Sequence, residues 1–288
     1  MNKVTIIKGN DRYEILVSKY KILFGENEDI KFDIARTLER YFKKIKSSEY
    51  GEECNNKPLV MLNDKEVNIK NNMFFYVHKN YSLTSDFKLT TQSLIFKYLE
   101  TVLSDDLFID LINTINILFE SLSQEITEQS ILSGSFSTMI PKQLLKFFSP
   151  LYLDEEFFKD EYDLSIEEII LLQLKMIKYI AENNKVIDSV YVYVDTPYLT
   201  TQIMKIITEI NHVIILISSN ESSFDSDIKN YYICERKFFD LSSETDVYEN
   251  ICDNGLTLIT LKEGLDNMKE YIFNKSGSNV ELINKLIK

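Results

Sequence analysis

The sequence predicts an α/β protein with a mainly parallel sheet, a small β layer near its start and an inserted helical block. Three observations point there. The runs 190–197 (VYVYVDTP) and 213–220 (VIILISSN) are β-branched and aromatic with no polar interruption until their ends, the pattern of strands covered on both faces. Between them Ile203, Ile206, Ile207 and Ile210 fall on one helical stripe, so the segment reads as a βαβ unit with parallel strands and a right-handed crossover. From about residue 90 the apolar period becomes helical and stays so to about residue 183. Parallel strands present ligands at their carboxyl ends, which makes Asp195 and Ser218, at the ends of the two runs, the place to look for a site.

In chain order, residues 4–7 and 13–17 flank Gly9, Asn10 and Asp11 as a hairpin. Residues 21–33 read as a strand, a polar turn and a helix start. That helix should run to about residue 46, with Ile34, Leu38, Tyr41, Phe42 and Ile45 as its apolar face. Strands at 60–62 and 65–69 flank Asn63 and Asp64, and 73–78 reads as a further strand of the same small layer. Leu94, Tyr98, Leu99 and Val102, then Leu107, Leu111, Ile115, Leu118, Phe119 and Leu122, predict helices on both sides of residues 104–106. Pro141 opens another helix, and Ser165 with Glu168 has capping-box spacing ahead of Ile169, Leu172, Met176 and Ile180. Pro197 suits the first position of the crossover helix, capped by Asp195 or Thr196. Strands at 231–233 and 256–261 and a helix at 265–273 complete the chain. The organisation expected is a head in two parts, 1–92 and 184–288, with 93–183 as a helical leg inserted between them.

The bulk numbers narrow the function classes. A hydrophobic fraction of 44%, with 18 Phe and 17 Tyr among 288 residues, argues for a folded core and against disorder. Cys54, Cys234 and Cys252 stand at unrelated spacings, so reduced thiols are expected and neither a disulfide framework nor a zinc site follows. The start of the chain lacks a signal-peptide core, and no apolar run approaches the roughly 20 residues of a membrane span; a cytoplasmic protein without membrane contact is the expectation. The net charge of −13, from 32 basic and 45 acidic residues, opposes uniform phosphate binding, although a local basic stripe on an acidic body escapes that objection.

Five candidate sites follow from residue types and spacing. Residues 25–32 (GENEDIKF) stand between a strand and a helix, where a phosphate-binding loop of the form G-x-x-x-x-G-K-[ST] belongs. Gly25 and Lys31 are in register. Ile30 replaces the second glycine, Phe32 replaces the hydroxyl that would hold magnesium, and Glu26, Glu28 and Asp29 put carboxylates where an anion should sit. The loop is thus a degenerate P-loop, or an ordinary strand-to-helix turn. Asp195 matches the metal-holding Asp of nucleotide hydrolases, but Thr196 and Pro197 stand where a water-activating Glu would follow. His78 and His212 are far apart in sequence and lack metal-spaced partners, so zinc is not expected, and His212, just ahead of its strand, reads as structural. The acidic run 154–163, with Glu167 and Glu168 beyond it, could offer oxygens to a hard cation or be a solvated linker. Basic residues fall in two sets: Arg36, Arg40, Lys43, Lys44 and Lys46 on the first helix, and Lys142, Lys146, Lys175 and Lys178 in the helical block.

A degenerate loop from Phe24 and Gly25 to Lys31, a long helical insert, an acidic stretch leading into residues 169–174 (IILLQL), and the 190–217 strand-helix-strand unit together resemble the small accessory protein of subtype II-A CRISPR loci, required for acquiring new spacers. The resemblance is best over about residues 160–220. It implies a P-loop ATPase-like head without catalysis and a helical leg. It also implies a homotetrameric ring that takes duplex DNA ends through a lysine-lined hole, works with other adaptation proteins of its locus, and is held together by calcium. On that reading the basic stripes line the hole, Asp160, Glu161, Asp163, Glu167 and Glu168 are the calcium candidates, and Gly25, Lys31 and Asp195 are a vestigial nucleotide site. The competing expectation from the same residues is a nucleotide-binding ATPase of the ABC or RecA-like kind.

Overall fold

A computed structural model of the chain describes residues 1–45, 57–154, 157–158, 161–220, 225, 227–253, 258–274 and 278–287. Strands β1 (Asn2–Lys8) and β2 (Asp11–Val17) pair antiparallel, from Asn2 opposite Val17 to Lys8 opposite Asp11. After β3 (Tyr20–Phe24) comes helix α1 (Glu28–Lys43). Strands β4 (Leu59–Leu62) and β5 (Lys65–Glu66) follow, joined by Asn63 and Asp64 at φ of 50° and 62°. Positive φ at both central residues is what a tight two-residue hairpin demands. Then come β6 (Asn72–His78), α2 (Leu83–Asp86), α3 (Leu94–Leu103), α4 (Asp106–Gln129) and α5 (Pro141–Leu144). A short antiparallel pair, β7 (Leu153–Asp154) and β8 (Phe157–Phe158), leads to α6 (Ile166–Asn183), β9 (Ser189–Asp195), α7 (Thr201–Glu209) and β10 (Val213–Ser218). The chain closes with β11 (Tyr231–Cys234), β12 (Phe238–Asp240), α8 (Glu244–Val247), α9 (Leu261–Lys269) and α10 (Ser278–Ile287).

The expected α/β class holds. A six-stranded sheet runs in the order β12-β11-β3-β10-β9-β6, parallel throughout except for β12 at its edge, and a four-stranded antiparallel sheet runs β2-β1-β4-β5. Alternation divides the buried residues cleanly. On β9, Val190, Val192 and Val194 enter a core shared with α6 and α7. Tyr191 and Tyr193 point the other way, into a core shared with α1 and the antiparallel sheet. Ile214 and Leu216 of β10 join the α1 side, while Ile215 and Ile217 join the α6 side. Helix α1 therefore lies between the two sheets, and α6 and α7 cover the opposite face.

Several expectations change. Residues 73–78 do not belong to the small layer: β6 pairs parallel with β9, from Asn72 opposite Ser189 to His78 opposite Asp195. The reason is two-sided burial, with Phe75 and Val77 on the α6 side and Phe74 and Tyr76 on the α1 side, which only the covered sheet supplies. Pro197 does not open the crossover helix. Thr200 is its N-cap, accepting from the Ile203 amide at 3.2 Å, while the Thr196 hydroxyl donates to the Tyr198 carbonyl. Helix α1 stops at Lys43, because Lys44 turns left-handed at φ of 50°, and Ile45 is exposed. The last expected strand is absent among the described residues. Leu258 makes one bridge to Asp253, and a capping box of Thr260 and Glu263 starts α9 at once; residues 254–257 lie outside the described set.

The expected leg, 93–183, divides in two. Helices α3 and α6 bury Leu94, Ile95, Ile170, Leu174, Ile177 and Ile180 against the large sheet. Helix α4, about 36 Å long at 1.5 Å per residue, buries only Ile112 and Ser123. The segment after it folds back along one side. Met139 exchanges hydrogen bonds with the Asn116 amide at 2.6 and 3.0 Å, the Phe136 amide donates to Ser123 Oγ, and the Phe119 and Phe136 rings stack. On another side Leu111, Ile115, Leu118 and Leu122 repeat at spacings of four, three and four, with Leu111, Leu118 and Leu122 exposed. No described helix is long and apolar enough to cross a membrane.

Candidate functional site

The carboxyl ends of β3, β10 and β9 bring the loop at Gly25, Ser218 and Asp195 to one edge of the large sheet, with Ser218 opposite both Leu23 and Asp195. The loop is filled by the protein's own groups. Asn220 Oδ1 accepts from the Gly25 amide at 3.1 Å and from Lys31 Nζ at 2.9 Å. Glu235 Oε1 accepts from the Glu26 amide at 3.1 Å, and the Cys234 carbonyl accepts from the Asn27 amide at 3.0 Å. The Asn27 side chain caps α1 through the Ile30 amide. Lys31, 2% exposed, also pairs with Glu28 at 2.8 Å. The amides and ammonium that would cradle an anion therefore already have acceptors, two of them carboxylates.

Asp195 is not part of that cluster. Strand β10 separates β9 from β3, and the partner of Asp195 is the Tyr76 hydroxyl, donating at 3.2 Å. Burial, with the negative Asp195 beside it, pushes the Tyr76 phenol up to about 12. His78 sits opposite Asp195 on β6; burial lowers its imidazole, although Asp195 and Glu39 pull the other way. Behind the loop Tyr193, fully buried on β9, donates to the Lys31 carbonyl at 2.8 Å and ties α1 to the sheet. Cys234 and Cys252 are free and buried, and burial pushes the Cys234 thiol up to about 12; Cys54 lies outside the described residues. Sequence reasoning did not single out Asn220 or Glu235, which act on the loop across 195 and 209 residues of chain.

Helix α1, with the first basic set, and α6, with Lys175 and Lys178, lie on opposite faces of the large sheet; Lys142 and Lys146 stand on α5 and just after it. Glu39 forks between Arg36 and Lys43, 2.8 Å from each. Burial alone would raise its carboxyl, but the hydrogen bonds and charges of these two cations outweigh that and hold it low. Lys178 pairs with Glu209 at 2.8 Å. Lys44, Lys142, Lys146 and Lys175 are exposed and form no ion pair among the described residues, and Lys46 lies outside those residues.

Three of the acidic candidates, Glu161, Glu167 and Glu168, are committed to local structure. Glu161 accepts from the Thr84 amide at 3.0 Å and from the Ser82 hydroxyl, sealing the start of α2. Glu167 accepts from the Thr200 hydroxyl at 2.5 Å, and Glu168 completes the expected capping box with Ser165. Asp163 lies in a short 3₁₀ turn, and Asp160 lies outside the described residues. Among the described residues no group of three or more His, Cys, Asp or Glu side chains could hold a metal ion.

The Thr84 amide, chiefly, lowers the Glu161 carboxyl below its ordinary value. A depressed carboxylate contributes stability that is complete above the unfolded-state pKa and is lost as pH falls through the folded one. Glu161→Gln should therefore melt below wild type near about pH 7, with the gap closing toward about pH 3. An equal gap at both pH values would mean the charge plays no part.

No family model matches this chain, and no curated protein matches it. Among solved structures it is similar to Stu0660 of Streptococcus thermophilus, at 14% identity over 98% of this chain and 99% of that one, with a TM-score of 0.60. It is also similar to the recombination mediator protein RecF with ATPrS, of the RecFOR pathway, at 11% identity over 81% of this chain and 95% of that one, with a TM-score of 0.40. The likeness to Stu0660 extends over nearly the full length of both chains and is one of fold.

Proposed function

We propose that the chain is a non-catalytic binder of double-stranded DNA, in particular of duplex ends, acting in the cytoplasm in CRISPR spacer acquisition as a homotetrameric ring. The observation that supports the non-catalytic part is the self-filled loop: Asn220, Glu28 and Glu235 occupy the donors a triphosphate would need. The exposed lysines Lys44, Lys142, Lys146 and Lys175, with Arg36, Arg40, Lys43 and Lys178, are the cations offered to phosphate. Because α1 and α6 sit on opposite faces, a continuous basic track would have to be assembled from several copies. The seam of Leu111, Ile115, Leu118 and Leu122 on α4 supports self-association, since that spacing is the one by which helices pair.

Calcium and the adaptation partners of the same locus enter this reading through the resemblance alone. Among the described residues the carboxylates expected to hold calcium do not converge, and the reading puts the ion between copies. Solution mass in calcium and in chelator tests that part, a calcium-dependent tetramer being the expected result.

The DNA reading is tested by mobility shift on linear and on closed circular duplex at low salt. Linear duplex should bind, the circle should not, and each phosphate contact removed by Lys142→Ala or Lys175→Ala should weaken binding uniformly and reduce the salt slope by about 1. No binding of either DNA would end the reading. The alternative of a nucleotide-binding ATPase draws on Gly25 and Lys31 standing after a parallel strand. It predicts a stabilisation of about 2.7 kcal/mol at 100 times the dissociation constant of ATP, abolished by Lys31→Ala.

A further inference from the structure

Helix α1 carries a cavity of about 260 Å³ on its outer side, lined among others by Lys8, Phe32, Arg36, Thr37 and Arg40. Three features of its wall bear on what it could take. Phe32 is 63% exposed, and the Arg36 guanidinium lies 5.8 Å from the centre of its ring. This pair offers a flat apolar face beside a delocalised cation, which suits a planar ring carrying negative charge. Thr37 is 2% exposed, and its hydroxyl has no hydrogen-bond partner among the described residues. A buried unpaired hydroxyl is costly; Thr37 lines the cavity with this hydroxyl covered, and a turn about its Cα–Cβ bond would bring it to a ligand's polar edge. Finally, the wall carries the cations Lys8, Arg36 and Arg40 against the carboxylates Asp33 and Glu39; Lys8 pairs with Asp33 and Arg36 with Glu39, which leaves a local excess of one positive charge on a protein whose net charge is −13. The volume lies just below the roughly 300–1,000 Å³ of sites for drug-sized ligands, which suits a single base with its phosphate better than a longer strand.

We propose that this cavity receives one unpaired nucleotide, its base stacked on Phe32, its phosphate drawing Arg36 and Lys8 away from Glu39 and Asp33, and a polar edge satisfied by the Thr37 hydroxyl once it has turned inward. In the protein as a DNA-end binder, that nucleotide is the terminal residue of a single-stranded overhang. The source in DNA rests on the DNA-binding reading; the nucleotide chemistry of the cavity does not. Phe32 thus gains a use at the position where a working phosphate loop would carry a hydroxyl.

The test uses the full chain and its Phe32→Ala and Thr37→Val variants, with fluorescence anisotropy on one duplex core bearing blunt ends or short single-stranded overhangs. Wild type should prefer the overhang by roughly 5- to 150-fold, the range a single stacked base supplies. Phe32→Ala should erase the preference and leave blunt-end affinity where it was, and Thr37→Val should reduce it. Equal affinity for the two ends in wild type, or a preference that survives Phe32→Ala, overturns the proposal. In a second arm, saturation-transfer NMR with thymidine monophosphate alone reads the cavity without DNA. Transfer to the base protons that Phe32→Ala abolishes supports a nucleotide site even if no duplex binds, an outcome that would end the DNA reading only. No transfer, together with no overhang preference, overturns the nucleotide site itself. Because Phe32 is mostly exposed, its variant should melt with wild type, and matching thermal midpoints confirm that any loss is local.

Discussion

Gly25→Ala should destabilise the protein by about 4 kcal/mol or more, at the exceptional end for one substitution. Gly25 has φ of +137°, and a Cβ built there would stand 2.1 Å from the Cys234 carbonyl oxygen and 2.6 Å from its carbon. The obstacle is the backbone of β11 and cannot rotate away. Relief requires the loop to lift, which would break the bond from the Asn27 amide to Cys234 and the bond from the Glu26 amide to Glu235. Glycine is needed here for a close approach to the neighbouring strand in addition to its backbone freedom. A fall of roughly 10 °C in the thermal midpoint is expected. A loss under about 1 kcal/mol would show that loop and strand are not so close.

Lys21→Met should cost about 3–5 kcal/mol, the range for removing one member of a buried ion pair. Lys21 and Asp240 are 0% and 1% exposed with 2.6 Å between charged atoms. Burial lowers the lysine's pKa, and the Asp240 carboxylate opposes that shift. The lysine also donates to the Lys229 carbonyl and the Ser242 hydroxyl, while Asp240 accepts from the Leu16 amide at 2.7 Å and the Ser242 amide at 2.8 Å. The network thus joins β2 of the small sheet to the edge of the large one. For that reason Lys21→Met with Asp240→Leu should recover little, because the Leu16 and Ser242 amides would lose their acceptor. Urea unfolding of both single variants and the double variant measures this as a cycle. A double variant as stable as wild type would show that the carboxylate matters only to the lysine.

These two positions also show how far the sequence could be read. Gly25 and Lys31 stood out by spacing, and so did the missing hydroxyl at Phe32. That the donors near them are taken by Asn220 and Glu235 was invisible, because those contacts join residues some two hundred positions apart. Lys21 passed as one residue of a strand, since nothing in a local window marks a lysine that meets a carboxylate 219 residues later.

What the sequence determined by itself is the local and periodic part of the protein. The uninterrupted runs at β9 and β10, the isoleucine stripe of α7 between them, and the Ser165 capping box all stand in the structure, because period and capping are set within a few residues of chain. Only the tertiary structure decided which sheet β6 joins, which part of the helical block projects, and that the basic stripes of α1 and α6 face apart. It also decided that the acidic residues Glu161, Glu167 and Glu168 serve as caps and hydroxyl acceptors. Each of these depends on pairings between distant segments, and side-chain period alone cannot say which partner a strand, a charge or a carboxylate will meet.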